Sequence, residues 1–302
     1  MIKARSLSKI EDVIFNTANI IIMLGILVCT LYPFWNTIVV SLNQPMDTLR
    51  GGLTFWPRKL SMQNYKVVFA TGTIYNALFI SVARTVTNTV VNVFFTSMLA
   101  YALSRKEYVL RKPFTLIIIL SMYVNAGIIP NYFLMRTLHL TNSFFVYIVP
   151  GIINAFNFVV VRTYMRTLPE SIIESARIDG YGDFRIFTGI ILPLCLPVLA
   201  TAALFVAVDS WNSWFDTLIY NSGEPKLHTL QYKLMEYIQS SQGQAMKASD
   251  AGAMSVQSVV GMVTPISIRA AVTVVAALPI IMIYPFMQRY FVVGLNVGGV
   301  KE

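Results

Sequence analysis

Six apolar runs of roughly 20 residues, each long enough to cross the hydrocarbon core of a bilayer as a helix, constrain this chain more than any other feature. They fall at about Ala18–Leu42, Ala77–Leu103, Phe114–Met135, Ser143–Tyr164, Ile186–Trp211 and Ile266–Phe291. In lipid a backbone segment must pair its own N–H and C=O groups, so runs of this kind predict an all-α polytopic membrane protein. Composition points the same way, because only 12% of the 302 residues are charged, against about 25% in a soluble domain. The first run continues through Cys29 into Tyr32-Pro33-Phe34-Trp35 without a small-x-small cleavage site, so it reads as an uncleaved span. A short basic stretch over 1–17, with Lys3, Arg5 and Lys9, precedes it as a cytoplasmic collar.

Orientation follows from the Lys and Arg residues. With the N-terminus inside, thirteen of the 23 lie in cytoplasmic segments and eight in outer loops, while Arg84 and Arg269 lie within spans. The cytoplasmic segments are also the shorter ones, where the positive-inside bias counts most. Both termini, and the polar stretch 166–189, are therefore expected in the cytoplasm.

The net charge of +9 does not indicate nucleic acid, because the basic residues sit beside apolar segments and form no patch interleaved with exposed aromatics. Cys29 and Cys195 lie inside spans without CxxC spacing and read as small core residues. There is no GxxxxGK[ST] phosphate loop, and His139 and His228 are isolated from any metal-ligand set. Enzyme chemistry, metal and cofactor are accordingly not expected on this chain.

Polar residues inside the spans are sparse and ordered. The second span carries Ser81, Arg84, Asn88 and Asn92 at helical spacing, with no acidic partner for Arg84 evident. Such a stripe faces the bundle interior or water. Interhelical hydrogen bonding and the lining of a solute path are both open to it. Asn125 to Asn131 interrupts the third span, and Pro150-Gly151 with Asn154 and Asn157 marks the fourth. Pro193 and Pro197 predict two kinks on one face of the fifth. Trp211 and Trp214 read as an interfacial belt more readily than as a sugar-stacking platform. In the outer loops, Ser61 is placed to cap a short helix through Ala70, and Leu227–Gln239 reads as an interfacial helix.

The most ordered polar stretch is Leu168 to Pro193. Pro169 suits the first turn of a helix, and Glu170 places a negative charge where the helix dipole favours it. Ile172, Ile173 and Ala176 share one face, with Glu170, Glu174 and Arg177 on the other. Asp179-Gly180 ends this helix, since glycine takes the left-handed cap conformation without strain. A second helical run begins near Asp183. The expectation is a helix–turn–helix elbow whose apolar face is unsatisfied and suited to a partner's groove.

Glu174-Ser175-Ala176, Asp179-Gly180, then Ile190, Leu192 and Pro193 stand in the order and spacing of the "EAA" loop, so the chain resembles the permease subunits of ATP-binding-cassette importers. Ser175 and Tyr181 replace the alanines usual at those places. The ending from Gln288 through Gly298-Gly299-Val300-Lys301 resembles the tail of the second permease in maltose-type carbohydrate importers, with Glu302 where glycine is common. The run from Ile128 through Pro169 also looks like that class. The resemblance implies a bacterial cytoplasmic-membrane subunit forming half of a carbohydrate pathway. The elbow would couple it to a separate ATPase dimer, which would bind the ATP and Mg. A homologous second permease and an extracytoplasmic solute-binding protein would complete the system, and the tail over 292–302 would reach the ATPase interface. Alternatives are an importer for another solute such as glycerol phosphate, or a stand-alone channel or secondary transporter. The organisation is thus a segment 1–17, a six-span domain 18–291 with coupling loop 166–189, and the tail. Arg84, Asn88, Asn92, Asn125, Asn154 and Asn157 are the candidate pathway residues.

Overall fold

A computed structural model describes residues 2–70, 72–124, 126–239 and 264–295 of the chain. Among the described residues there are helices and no β-strands. In order they are α1 (Ile2–Leu42), α2 (Pro45–Thr48), α3 (Gln63–Ala70), α4 (Thr73–Ser104), α5 (Arg111–Ser121), α6 (Ile128–Thr137), α7 (Ala155–Met165), α8 (Glu170–Ile178) and α9 (Asp183–Ile186). After a π-helical turn over Phe187–Ile191 come α10 (Leu192–Leu194), α11 (Leu196–Asn212), α12 (Phe215–Tyr220), α13 (230–239) and α14 (Pro265–Leu295).

Three of these are long and apolar enough to cross a membrane alone, over Asp12–Leu42, Thr73–Ser104 and Pro265–Ile283, and two bent helix pairs raise the number to five. The third run departs most from the expected span. It folds as the 11-residue α5 and the 10-residue α6, separated at 122–127 where Gly127 sits at φ 85°. Asn125, in that break, lies outside the described residues. In the fourth run, 3-10 turns over Phe144–Gly151 meet α7 at 47°, with Asn154 capping α7 through its side chain. The fifth run was expected as one kinked span, but Asp183–Leu194 and α11 meet at 84°. Neither Pro193 nor Pro197 has an N–H to carry the helical ladder through this point, which removes two consecutive supports from the turn around Cys195.

The described residues divide into two compact units, 2–70 with 237–239 and 264–275, and those of 72–236 with 276–295. In the first, α1 runs unbroken across the expected 17/18 boundary, and the loop after it is tied down by Asn43. That side chain donates to Asp47 Oδ2 and Thr48 Oγ1, both at 3.1 Å, and accepts from the Lys59 amide at 3.0 Å. The hydrogen bond from Asn43, followed by that from Arg58, holds the Asp47 carboxyl below its usual range. Ser61 Oγ accepts from the Gln63 amide at 3.2 Å, one place ahead of the cap position of α3.

The second unit is built around α4, which packs against α11 and α7. Its main core joins Leu103, Phe158, Met165, Ile186, Phe187 and Cys195. Tyr101 stacks on Phe187 at 5.6 Å within it. Trp211, read from the sequence as an interfacial residue, is buried outside this cluster, and its Nε1 donates to the Ala276 carbonyl at 3.0 Å. A buried indole needs such an acceptor, so Trp211 staples α11 to α14.

Candidate functional site: a clamped elbow and a polar cavity

The elbow is formed by α8 and α9. Pro169 stands one place before the expected position, as the N-cap of α8 with extended backbone (φ −60°, ψ 129°). Lys106 Nζ reaches Glu170 Oε2 at 2.9 Å. At the other end, the Tyr181 amide donates to Ala176 O and the Gly180 amide to Arg177 O, both at 3.0 Å. This is the paired closure that a left-handed residue permits, and Gly180 has φ 81°.

The orientation of α8 corrects the expected plug. Ile173 and Ala176 are 3% and 5% exposed and join the chain's own core beside Ile186 and Phe187. The apolar stripe is satisfied internally, because α9 and the π-turn return beneath it. Outward instead lie Glu174, Ser175 and Ile178, with Phe184 exposed on α9. Glu174 makes no hydrogen bond or ion pair among the described residues. Ile178 is 86% exposed, an apolar side chain off the stripe that periodicity assigns to the core.

Arg177 links the elbow to its neighbours. Its guanidinium meets both Glu107 oxygens at 2.7 and 3.3 Å and Asp183 Oδ1 at 3.1 Å. It thereby ties α8 to the loop after α4 and to the start of α9. The Arg177 hydrogen bonds hold the Glu107 carboxyl below its usual range and raise that of Arg177. Tyr181, in place of alanine, packs against the core, with the Arg185 guanidinium 4.3 Å from its ring centre. Ile190 and Leu192 are half-buried against the core and Pro193 leads into the bend, so these three shape the elbow's base and are not on its outward face. Glu107 and Asp183 are missed by sequence reasoning, since nothing in the linear order pairs them with Arg177. Gly298, Gly299, Val300 and Lys301 lie outside the described residues.

The second feature is a cavity of about 560 Å³. Asn88, Asn92, Asn154 and Asn157 line it together, and Ser121, Phe156, Phe205 and Asp209 join them. Asn88 donates to Ser210 Oγ at 2.7 Å, and Asn92 donates to the Gly151 carbonyl. Asn154 Oδ1 accepts from the Asn157 amide at 2.9 Å. Asn88 Oδ1 and Asn157 Nδ2 are buried behind this wall with no hydrogen-bond partner among the described residues. Such groups are costly unless something polar meets them. Asp209 supplies a carboxylate to the cavity, a residue that sequence reasoning left at the end of a span.

Arg84 is not part of this wall. It is 4% exposed and forms a two-pronged ion pair with Asp216, donates to Ser213 O at 3.1 Å, and lies 4.6 Å from the Tyr147 ring centre. The acidic partner that the sequence did not reveal is thus 132 positions away. Asp216 is itself fixed by Ser213 Oγ at 3.0 Å and the Thr217 amide at 2.9 Å.

A polar cavity among membrane-type helices and a fastened elbow on the same unit define a membrane transport subunit. Residues 78–296 match the family of inner membrane components of binding-protein-dependent transport systems, and the chain belongs to that family. It is 34% identical over 275 residues to the polygalacturonan/rhamnogalacturonan transport system permease YtcP of Bacillus subtilis, covering 91% of this chain and 93% of that protein. It is 30% identical to the arabinooligosaccharides permease AraQ of the same organism, covering 90% of each. A solved bacterial ABC transporter for import of the acidic polysaccharide alginate contains a chain superposing with a TM-score of 0.82. The two are 27% identical, and the match covers 93% of this chain and 98% of that one. The chain is a permease subunit of an ATP-driven importer and not an enzyme; ATP hydrolysis belongs to a separate subunit.

Proposed function

We propose that this permease forms one half of an oligosaccharide pathway and receives the ATPase at the outward face of the elbow. The fastening of the elbow carries this reading. A lever must move as one piece, and α8 is closed at its C-terminal end by Gly180 and fastened to two neighbouring segments by Arg177. Its outward side, with unpaired Glu174 and exposed Ile178, offers both a charge and an apolar anchor. ATP-driven closure would shift this lever and switch the bent α9–α11 connection between two packings. Six spans, cytoplasmic termini and a cytoplasmic loop 166–189 complete the arrangement, with a second permease, an ATPase dimer carrying ATP and Mg, and a solute-binding protein as partners.

A hydroxyl-rich solute suits the cavity wall. The asparagines of the lining and the Asp209 carboxylate suit hydroxyl groups, and Phe156 and Phe205 add apolar surface for a ring. The Asp209 carboxylate, without a cation in the lining, disfavours an anionic solute such as glycerol phosphate at this wall. The relatives' names support a carbohydrate, although the alginate importer carries an acidic one. Purification of the tagged chain from its native membrane tests it. An ATPase and a second permease should co-purify, and a cysteine at Ser175 should resist an impermeant thiol reagent added from outside. Recovery of the chain alone, or outside labelling at Ser175, would overturn the reading.

A further inference from the structure

Beside the elbow is a cavity of about 500 Å³ with a different character. Its lining includes Arg105 and Lys106 after α4, Arg111 and Lys112 in the first turn of α5, and Arg162 and Arg166 at the end of α7. The only acidic lining residue is Glu170, already engaged by Lys106 at 2.9 Å. None of the other five cations has a carboxylate within 4.0 Å among the described residues. Arg105 lies 5.2 Å from the Tyr101 ring centre, and Arg162 Nε donates to the Leu103 carbonyl at 3.0 Å. Neither contact neutralises charge.

Such a concentration of like charge is unfavourable unless an anion sits among it. Cations at the C-terminal ends of α4 and α7 suit the helix dipoles, but Arg111 and Lys112 stand at the N-terminal end of α5, where a dipole disfavours them. Arg111 Nη1 donates to the Arg105 carbonyl at 3.3 Å across the α4–α5 loop, which leaves its charge uncompensated, and the dipole does not account for Lys112. From the same end, α5 continues into exposed Phe114, Leu116, Ile117 and Leu120. An apolar helix face rising from a cationic cavity has the chemistry of a phospholipid, headgroup below and acyl chains alongside.

We propose that this cavity binds the phosphate of an anionic phospholipid, with Arg105, Arg111, Lys112, Arg162 and Arg166 around the headgroup. Its placement in the cytoplasmic leaflet follows from the topology proposed above, but binding itself does not depend on that assignment. Phosphatidylglycerol brings one net negative charge to the five cations and cardiolipin up to two, whereas a zwitterionic lipid brings none. Bound lipid would also brace the base of the elbow through Lys106 and Glu170.

The test uses the assembled transporter in detergent, with lipid retention measured by native mass spectrometry. Wild-type complex should retain phosphatidylglycerol in preference to phosphatidylcholine, and added salt should weaken retention. Lys112→Ala and Arg166→Ala, both at exposed positions, should each lower retention roughly fivefold, with Lys112→Arg behaving as wild type. Inorganic phosphate separates the two sources of the anion. If it displaces the lipid at millimolar concentration and itself restores ATPase rate in delipidated complex, the site takes free phosphate and the lipid assignment is wrong. Equal retention by wild type and both Ala variants would overturn the proposal. Loss of the ATPase subunit from the variants with lipid unchanged would assign the cations to a protein contact instead.

Discussion

Replacing Gly180 with valine isolates the elbow's turn from every other feature of the protein. At φ 81° the residue is in the left-handed region, and a Cβ built there meets nothing within 4 Å. Crowding therefore contributes nothing, and the penalty is that of the backbone conformation alone. For a residue with a side chain that is about 1–3 kcal/mol, and β-branched valine lies at the upper end. The strain can relax only by giving up the closing bonds from Tyr181 to Ala176 and from Gly180 to Arg177, each worth about 0.5–1.5 kcal/mol. Either course loosens the end of α8 where Arg177 fastens it. Gly180→Val should leave the permease in the membrane at near-normal amount, yet lower transport per ATP hydrolysed in proteoliposomes by several-fold. Gly180→Asn should retain most coupling, because asparagine tolerates this conformation. The reasoning fails if valine couples normally, or if asparagine is as damaging as valine.

Further outcomes follow from the same geometry. Arg84→Ala strands the Asp216 carboxylate and should destabilise the protein by about 3 kcal/mol, the low end for a buried pair because Asp216 is 23% exposed. The yield of assembled complex should fall, and the double variant Arg84→Ala/Asp216→Ala should lose less than the sum. On the elbow, Glu174→Ala should weaken ATPase binding by about 1 kcal/mol or less, and Glu174→Lys by more. Ile178→Ser should cost more than Glu174→Ala, since burying an isoleucine is worth about 1.5–3 kcal/mol; binding unchanged in all three would remove the outward face as the contact. His228, 6% exposed and held below its ordinary value by burial, bonds the Ser222 carbonyl at 3.2 Å while its Nδ1 has no partner. The unfolded loop thus binds a proton at higher pH than the folded one, so its stability is full above about pH 6.5 and falls as pH drops below that. Hydrogen exchange over 222–232 should accelerate on acidification in wild type and not in His228→Gln.

The membrane class, the break at the third run, the serine bond at the start of α3 and the left-handed turn at Gly180 were all legible in the sequence. Each depends on interactions within a few residues: apolar length, a glycine between two short helices, a serine two places ahead of an amide, a glycine after a helical repeat. The gathering of Asn88, Asn92, Asn154 and Asn157 was legible too, because intramembrane polar side chains have few stable places to go. Other features were decided only by tertiary packing. Periodicity identified the stripe of Ile173 and Ala176 but could not say whether this chain or another covers it, and α9 with the π-turn covers it. Trp211 reads as an interfacial residue until the carbonyl of Ala276, 65 positions away, is seen to accept its N–H. Arg84 likewise reads as a lone charge because Asp216, just beyond α11, reaches it only after α11 packs back along α4. Short-range order is written in neighbouring residues, whereas the partner of a buried charge or an apolar face is chosen by whatever segment the fold brings to it.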